Sequence, residues 1–209
     1  MRIVSRRPSD QSPARVAPLA VLPVFLPLEG KRAVVLGGSD AAAWKAELLT
    51  AAGAVVDVHA HQLSDEFKHM LGRIETLAHY PTRWTTATLA GAAIVVADAE
   101  SDEEAEAIHR AARAAGVPVN MIDRPAFCDF MFGSIVNRSP VVVGISTEGA
   151  APILGQAIRR RIETLLPHSL QAWAGLAQKL RARLNDRLRP GNRRRAFWES
   201  FVDRAFEIG

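Results

Sequence analysis

One cysteine, Cys128, stands in the whole 209-residue chain. A lone thiol forms no intramolecular disulfide and builds no thiolate zinc site, so a zinc finger is excluded and a reducing cytoplasm is the expected compartment. Aromatic residues are also scarce, at 6% with Tyr80 the sole tyrosine, which leaves no stacking platform for nucleic acid. Long apolar runs are missing. The nearest approach, Val16 to Leu28, is cut by Pro18, Pro23 and Pro27, which prevents the unbroken helix of a membrane span or signal core, although Ser5-Arg6-Arg7 precedes it. There is no serine-hydrolase elbow, no P-loop lysine pattern and no His-Glu-x-x-His helix, so hydrolysis and nucleoside-triphosphate chemistry lack support. The expectation is therefore a cytoplasmic chain without membrane or nucleic-acid partners and with no assignable metal ligands.

What is present is ordinary globular material, 48% hydrophobic and 23% charged, and the chain is long enough to bury a core without staples. The formal charge of +4 is unevenly placed: from Gln156 onward 12 Lys or Arg face 5 Asp or Glu, and the rest is slightly acidic. Such a bias marks either a solvated helix face or a docking surface for a polyanion, a many-carboxylate small molecule included.

The order of patterns points to an α/β fold. An apolar run at Arg32 to Leu36 enters Gly37-Gly38-Ser39-Asp40, a helical pattern follows over Ala41 to Ala52, Gly53 stops it, and Ala54 to Val58 is a second run. The alternation recurs with a strand at Ala92 to Ala97, a helix at Asp102 to Ala115 and a strand at Val117 to Ile122. Repeated βα units predict a parallel sheet with helices on both faces. Between them, His61 to Leu89 shows no clear period beyond a helix near Ser64 to Leu71. Later, Phe130 to Val136 and Val141 to Ser146 read as two strands around the turn-forming Asn137 to Pro140. Helices follow over Ile153 to Leu166, Ser169 to Leu188 and Arg193 to Phe206, and residues 1 to 20 are expected to be a disordered tail.

Three places carry candidate chemistry. The glycine turn after the first strand either merely connects two elements or cradles a dinucleotide pyrophosphate at the helix N-terminus; Ser39 stands where the close-approach glycine would be. At the end of the second strand an NAD site ordinarily has an acid for the ribose, but here Asp57 comes too early and His59-Ala60-His61 occupy the end. Asp123, just past a strand end, is either a turn cap or a catalytic carboxylate. His168, between two helices, is a weaker candidate for proton or metal traffic.

Taken together, LPVFLPLEGK (Leu22 to Lys31), VVLGGSDAAAWKAELLTAAGA (Val34 to Ala54), NMIDRP (Asn120 to Pro125), FMFGSIVNRSPVVVGISTEGAAPIL (Phe130 to Leu154), ETLLP (Glu163 to Pro167) and GNRRRAFWE (Gly191 to Glu199) resemble the precorrin-2 dehydrogenase and sirohydrochlorin ferrochelatase family, the N-terminal module of siroheme synthase. The resemblance implies a Rossmann NAD-binding domain over 21–132, a dimerisation segment over 133–166 and a helical domain over 167–209. It implies NAD-dependent oxidation of precorrin-2 to sirohydrochlorin, insertion of ferrous iron to give siroheme in many members, and a homodimer. Asp123 falls on the family's catalytic aspartate. The implied cofactor contacts are Gly37, Gly38, Ser39, Asp40, Ala41, His59, Ala60, Ala97 and Asp98; the implied substrate contacts are Asn120, Arg138, Ser146 and Thr147. Arginines 159 to 161, with Arg138, suit a polycarboxylate substrate.

The chain departs from that pattern at several places on the cofactor side. Ser39 replaces a third glycine, Trp44 stands before Lys45 in place of an arginine, and Asp98 takes a threonine position; Gly133 and Ala151 replace a proline and a serine. The clustering supports an alternative expectation, a tetrapyrrole-binding or chelatase-only homologue whose dehydrogenase activity is weakened or lost.

Overall fold

The structure is a computed structural model that describes residues 17–207. Of the expected tail, residues 1–16 lie outside the described residues, and 17–20 carry no helix or strand. The chain divides into two compact units, one spanning Phe25–Met131 and one that takes in the described residues on either side of it.

The first unit is a five-stranded parallel sheet ordered β3-β2-β1-β4-β5, formed by β1 (Arg32–Leu36), β2 (Val55–His59), β3 (Leu77–Tyr80), β4 (Ile94–Ala97) and β5 (Val119–Met121). This is the Rossmann-like arrangement expected. Four helices connect the strands: α1 (Asp40–Ala51), α2 (Asp65–Leu71), the short α3 (Thr86–Leu89) and α4 (Asp102–Ala114). Strand alternation sorts the core into two layers. Val34, Leu36, Val95, Ala97, Val119 and Met121 pack in one cluster with Leu89 of α3 and with Ala105, Ile108 and Ala112 of α4. The alternate positions Ala33, Val35, Ile94 and Val96 are equally buried, as are Ala42, Ala43, Ala46 and Leu49 on the inner side of α1.

Three Ser-Asp pairs start three of these helices. Ser39, Ser64 and Ser101 each take an extended conformation and accept from the amide three residues on, of Ala42, Phe67 and Glu104, at 3.2, 3.4 and 3.2 Å. The following Asp40, Asp65 and Asp102 put negative charge at the positive end of each helix dipole. Each cap is worth about 1 kcal/mol.

The second unit holds the antiparallel hairpin β6 (Ser134–Arg138) and β7 (Val141–Ile145), followed by α5 (Pro152–Leu165), α6 (Ser169–Arg187) and α7 (Asn192–Glu207). The four-residue turn expected at Asn137 to Pro140 is corrected to a two-residue loop, because Arg138 pairs with Val141 and both Asn137 and Arg138 are strand residues. Asn137 still does the turn chemistry: its Oδ1 accepts from the Ser139 amide at 2.8 Å and the Ser139 hydroxyl at 2.6 Å. Trp173 and Phe201 meet edge to face at 5.0 Å and join α6 to α7. Among the described residues no helix is long and apolar enough to cross a membrane.

Candidate functional site

In a parallel sheet every strand delivers its C-terminal end to one edge, and the two halves of this sheet diverge between β1 and β4. At that edge the chain leaves β1 through Gly37-Gly38. Gly37 has φ +110°, and a Cβ on it would stand 2.8 Å from the Asp98 Cβ; one on Gly38 would stand 1.9 Å from the Gln62 carbonyl oxygen. Glycine is therefore demanded at both positions by the neighbouring backbone before any ligand is considered. The Gly37 amide donates to the His59 carbonyl at 3.0 Å and the Gly38 carbonyl accepts from Ser64 at 2.7 Å, which ties the turn to the end of β2 and the start of α2.

A cavity of about 900 Å³ opens beside this turn. Of the expected cofactor residues, Gly37, Gly38, His59, Ala60 and Asp98 line it. Ser39, Asp40 and Ala41 open α1 next to it, and Ala97 is buried in the sheet. The tight turn, the helix start and the cavity suit the pyrophosphate and one nucleoside of a dinucleotide. One feature opposes them. The Ser39 hydroxyl donates to the Asp98 carboxylate while accepting from the Ala42 amide, so two departures from the family pattern are a single bonded pair that sets an acid against the turn.

Asp57 is not available to a ribose. Its carboxylate takes the Arg32 Nε at 2.6 Å, and the same guanidinium donates to the Thr88 and Ala90 carbonyls at 3.0 and 3.1 Å. His59 instead stacks on Tyr80 at 4.9 Å and 12°, its Nδ1 3.3 Å from the Thr82 hydroxyl. Burial pushes the His59 imidazole below the ordinary histidine range, Asp57 opposing and Arg32 and His79 adding to the effect.

Asp123 follows β5 on the same sheet edge, exposed and in the left-handed region at φ +56°, which aspartate tolerates better than most residues. Two strand spacings, roughly 10 Å, separate the ends of β1 and β5. Three anchors hold the loop around it. The Ile122 amide donates to Ala97 at 2.8 Å, the Arg124 guanidinium bonds Asp102, and the Val119 amide donates to Asp129 at 3.1 Å. Lys45 of α1 belongs to this neighbourhood: burial lowers its pKa from the usual lysine range, and the fields of Asp123 and Cys128 pull the other way. Its ammonium also stands 4.5 Å from the Trp44 ring centroid.

The expected substrate residues have mixed placements. Asn120 is only 7% exposed, and its amide donates to the Phe130 carbonyl at 2.9 Å, so it shapes the loop after β5 rather than presenting itself to a ligand. The Arg138 guanidinium donates to the carbonyls of Leu166, Asn137 and Glu163 at 2.9, 3.0 and 3.3 Å, closing the end of α5. Ser146 is exposed with its hydroxyl accepting from Glu148 at 3.2 Å, and Thr147 is half-buried. Arg159 pairs with Glu163 at 3.2 Å, while Arg160, Arg161 and His168 are exposed. Arg138, Ser146, Thr147 and the arginine run all belong to the second unit, whereas Asp123 and the glycine turn belong to the first. Reading the sequence missed Lys45 as a neighbour of Asp123, Arg83 on the cavity wall and the bond between Ser39 and Asp98; only the two departures at the last pair gave any signal.

The family model described as putative NAD(P)-binding matches residues 24–134, and that of the sirohaem synthase dimerisation region matches 169–207. The chain is 40% identical to the siroheme synthase of Thiobacillus denitrificans over 178 residues, 85% of this chain and 37% of that protein. It is 39% identical to the siroheme synthase of Pseudomonas aeruginosa PAO1 over 181 residues, 86% and 38% of the two. The chain thus spans less than two-fifths of the length of these relatives. Among solved structures it is similar to SirC, precorrin-2 dehydrogenase, with a TM-score of 0.66 at 18% identity over 90% of this chain and 93% of that one, a likeness of fold.

Proposed function

Because the chain belongs to the NAD(P)-binding family represented by the N-terminal module of siroheme synthase, we propose that it oxidises precorrin-2 to sirohydrochlorin, with Asp123 as the base. The observation that carries this reading is the exposed Asp123 on the sheet edge that also bears the glycine turn and its cavity. A nicotinamide dinucleotide, when bound, supplies the hydride acceptor. Gly37, Gly38 and the start of α1 would hold its pyrophosphate. The oxidation removes two electrons as hydride and one proton from the macrocycle, and the Asp123 carboxylate takes that proton. Lys45 and Asp123 act on each other through their fields. The ferrous-iron step would use the same acid, since the two N–H protons of the macrocycle must leave as the divalent metal substrate enters. The homodimer, through the second unit, and a cytoplasmic setting are parts of the same proposal.

The test is anaerobic incubation of the purified chain with precorrin-2 and dinucleotide. One reduced cofactor should form per sirohydrochlorin, and no reduced cofactor at saturating substrate would refute the dehydrogenase. A second reading, a tetrapyrrole-binding or chelatase-only protein, is favoured by the Ser39–Asp98 pair, which places negative charge where a pyrophosphate would lie. Metal insertion into preformed sirohydrochlorin, with no dinucleotide-dependent oxidation, would select it.

A further inference from the structure

Asp123 stands in the left-handed region at φ +56°, a conformation that persists in a residue with a side chain only where its surroundings fix it. On its N-terminal side the sheet does so: Met121 pairs with Ala97, and the Ile122 amide donates to the Ala97 carbonyl at 2.8 Å. On its C-terminal side the chain leaves the sheet for a short turn of helix over Pro125–Phe127. Backbone support is thinner there. The Arg124 amide reaches the Met121 carbonyl at 3.3 Å, and the Cys128 thiol, which accepts from the Met121 amide at 3.1 Å, reaches the Arg124 carbonyl at 3.5 Å.

The Arg124 side chain makes up the difference. Its Nη1 bonds the Asp102 carboxylate and its Nε donates to the Ala99 carbonyl at 3.4 Å. Both acceptors are themselves fixed: Ala99 is buried after β4, and Asp102 is the first residue of α4, capped by Ser101. The side chains of Arg124 and Asp102 are 28% and 71% exposed, and a pair so open to water adds little to the stability of the whole fold. Its removal therefore leaves the fold standing, and an effect on rate reads the placement of the neighbouring carboxylate.

We propose that Arg124 is a positioning residue for the oxidation: its bonds to Asp102 and Ala99 hold the Asp123 backbone at the angle from which the carboxylate meets the macrocycle proton. The inference rests on Asp123 as the base and deepens that reading by naming the group that aims it.

Anaerobic steady-state oxidation of precorrin-2 with NAD⁺ by the full chain tests it, with the unfolding midpoint measured on every variant. Arg124→Ala should lower kcat about tenfold, with KM for precorrin-2 within about twofold and the midpoint unmoved. Asp102→Asn should lower kcat as well, and the double variant should lose no more than Arg124→Ala alone. Arg124→Lys should regain part of the loss. With the base already removed by Asp123→Asn, Arg124→Ala should cost nothing further. Any one of four results overturns the proposal: an unaltered kcat in Arg124→Ala; a raised KM at constant kcat, which would make Arg124 a substrate contact; a fall in kcat matched by a fall in the midpoint; or independent losses in either double variant. In an active parent chain these results leave the Asp123 reading intact, whereas a parent chain that forms no sirohydrochlorin overturns both.

Discussion

The two units of this chain handle apolar surface in opposite ways. In the sheet unit the central strands β1, β4 and β5 are closed over at every position but Arg32, and Phe67, Leu49, Leu89, Ile94 and Ile108 are among the largest fully buried side chains. The second unit has Val136 and Ala205 as its buried hydrophobics among the described residues, yet it exposes Ile135, Val142, Ile153, Leu154, Leu165, Leu176, Val202 and Phe206. A sheet covered on both faces is complete by itself. A hairpin and three helices with so many open aliphatic groups offer the surface on which the proposed second copy would pack, in keeping with the dimerisation region that matches 169–207. Residues that must keep a fixed geometry, the glycine turn and Asp123, sit on the finished unit.

The sharpest way to break this contrast is by truncation. Leu49→Ala in the sheet unit should cost about 2–5 kcal/mol in chemical denaturation, whereas Leu176→Ala should change unfolding by less than about 0.5 kcal/mol. Equal losses would mean that the second unit hides a core of its own. Its effect should appear instead in assembly: Leu154→Ser combined with Val202→Ser is expected to move the sedimenting species from dimer to monomer with helix content intact. Next in size is Gly38→Ala, whose added carbon meets the Gln62 carbonyl. About 1–3 kcal/mol of stability should be lost, read from the unfolding midpoint, together with dinucleotide binding. Ser39→Gly with Asp98→Thr removes the acid from the turn. It should tighten dinucleotide binding on the order of tenfold while lowering stability by only about 0.3 kcal/mol through the lost cap, since glycine is itself a tolerated N-cap. Unchanged affinity would clear the pair of any part in cofactor binding.

The smallest effect is one of pH. The His59 pKa is lowered on folding, so the folded state binds fewer protons than the unfolded state just below the ordinary histidine range. Its contribution is present above about pH 6.5 and is lost as pH falls through the folded value. His59→Asn should flatten that part of the melting-temperature profile, and an unaltered slope would place the titration elsewhere.

How much could be read beforehand follows the same division. β1, β4 and β5 are buried on both faces and β2 is buried at Val56 and Val58, so their apolar runs stood out, and the glycine turn and α1 followed from them. Strand β3 escaped because it has four residues, of which Leu77 alone is buried, so no period can show. Asp123 was legible from its place after a strand. Its neighbour Lys45 was not, because helix position alone does not reveal which loop a long side chain reaches. The bond between Ser39 and Asp98 joins residues 59 apart; the two substitutions were visible singly, their union only in three dimensions. The intrachain bonds of Asn120 and Arg138 were hidden for a related reason. Both are polar residues in motif positions, and both spend their donors on carbonyls of their own chain.

The central claim is that the Asp123 carboxylate removes the macrocycle proton as hydride departs. The most direct measurement compares the rate of sirohydrochlorin formation from precorrin-2 in the parent chain and in Asp123→Asn, with dinucleotide affinity measured on both. Loss of the base should cut the rate by about 10²–10⁴-fold while the cofactor binds as before. An undiminished rate in Asp123→Asn would contradict the account.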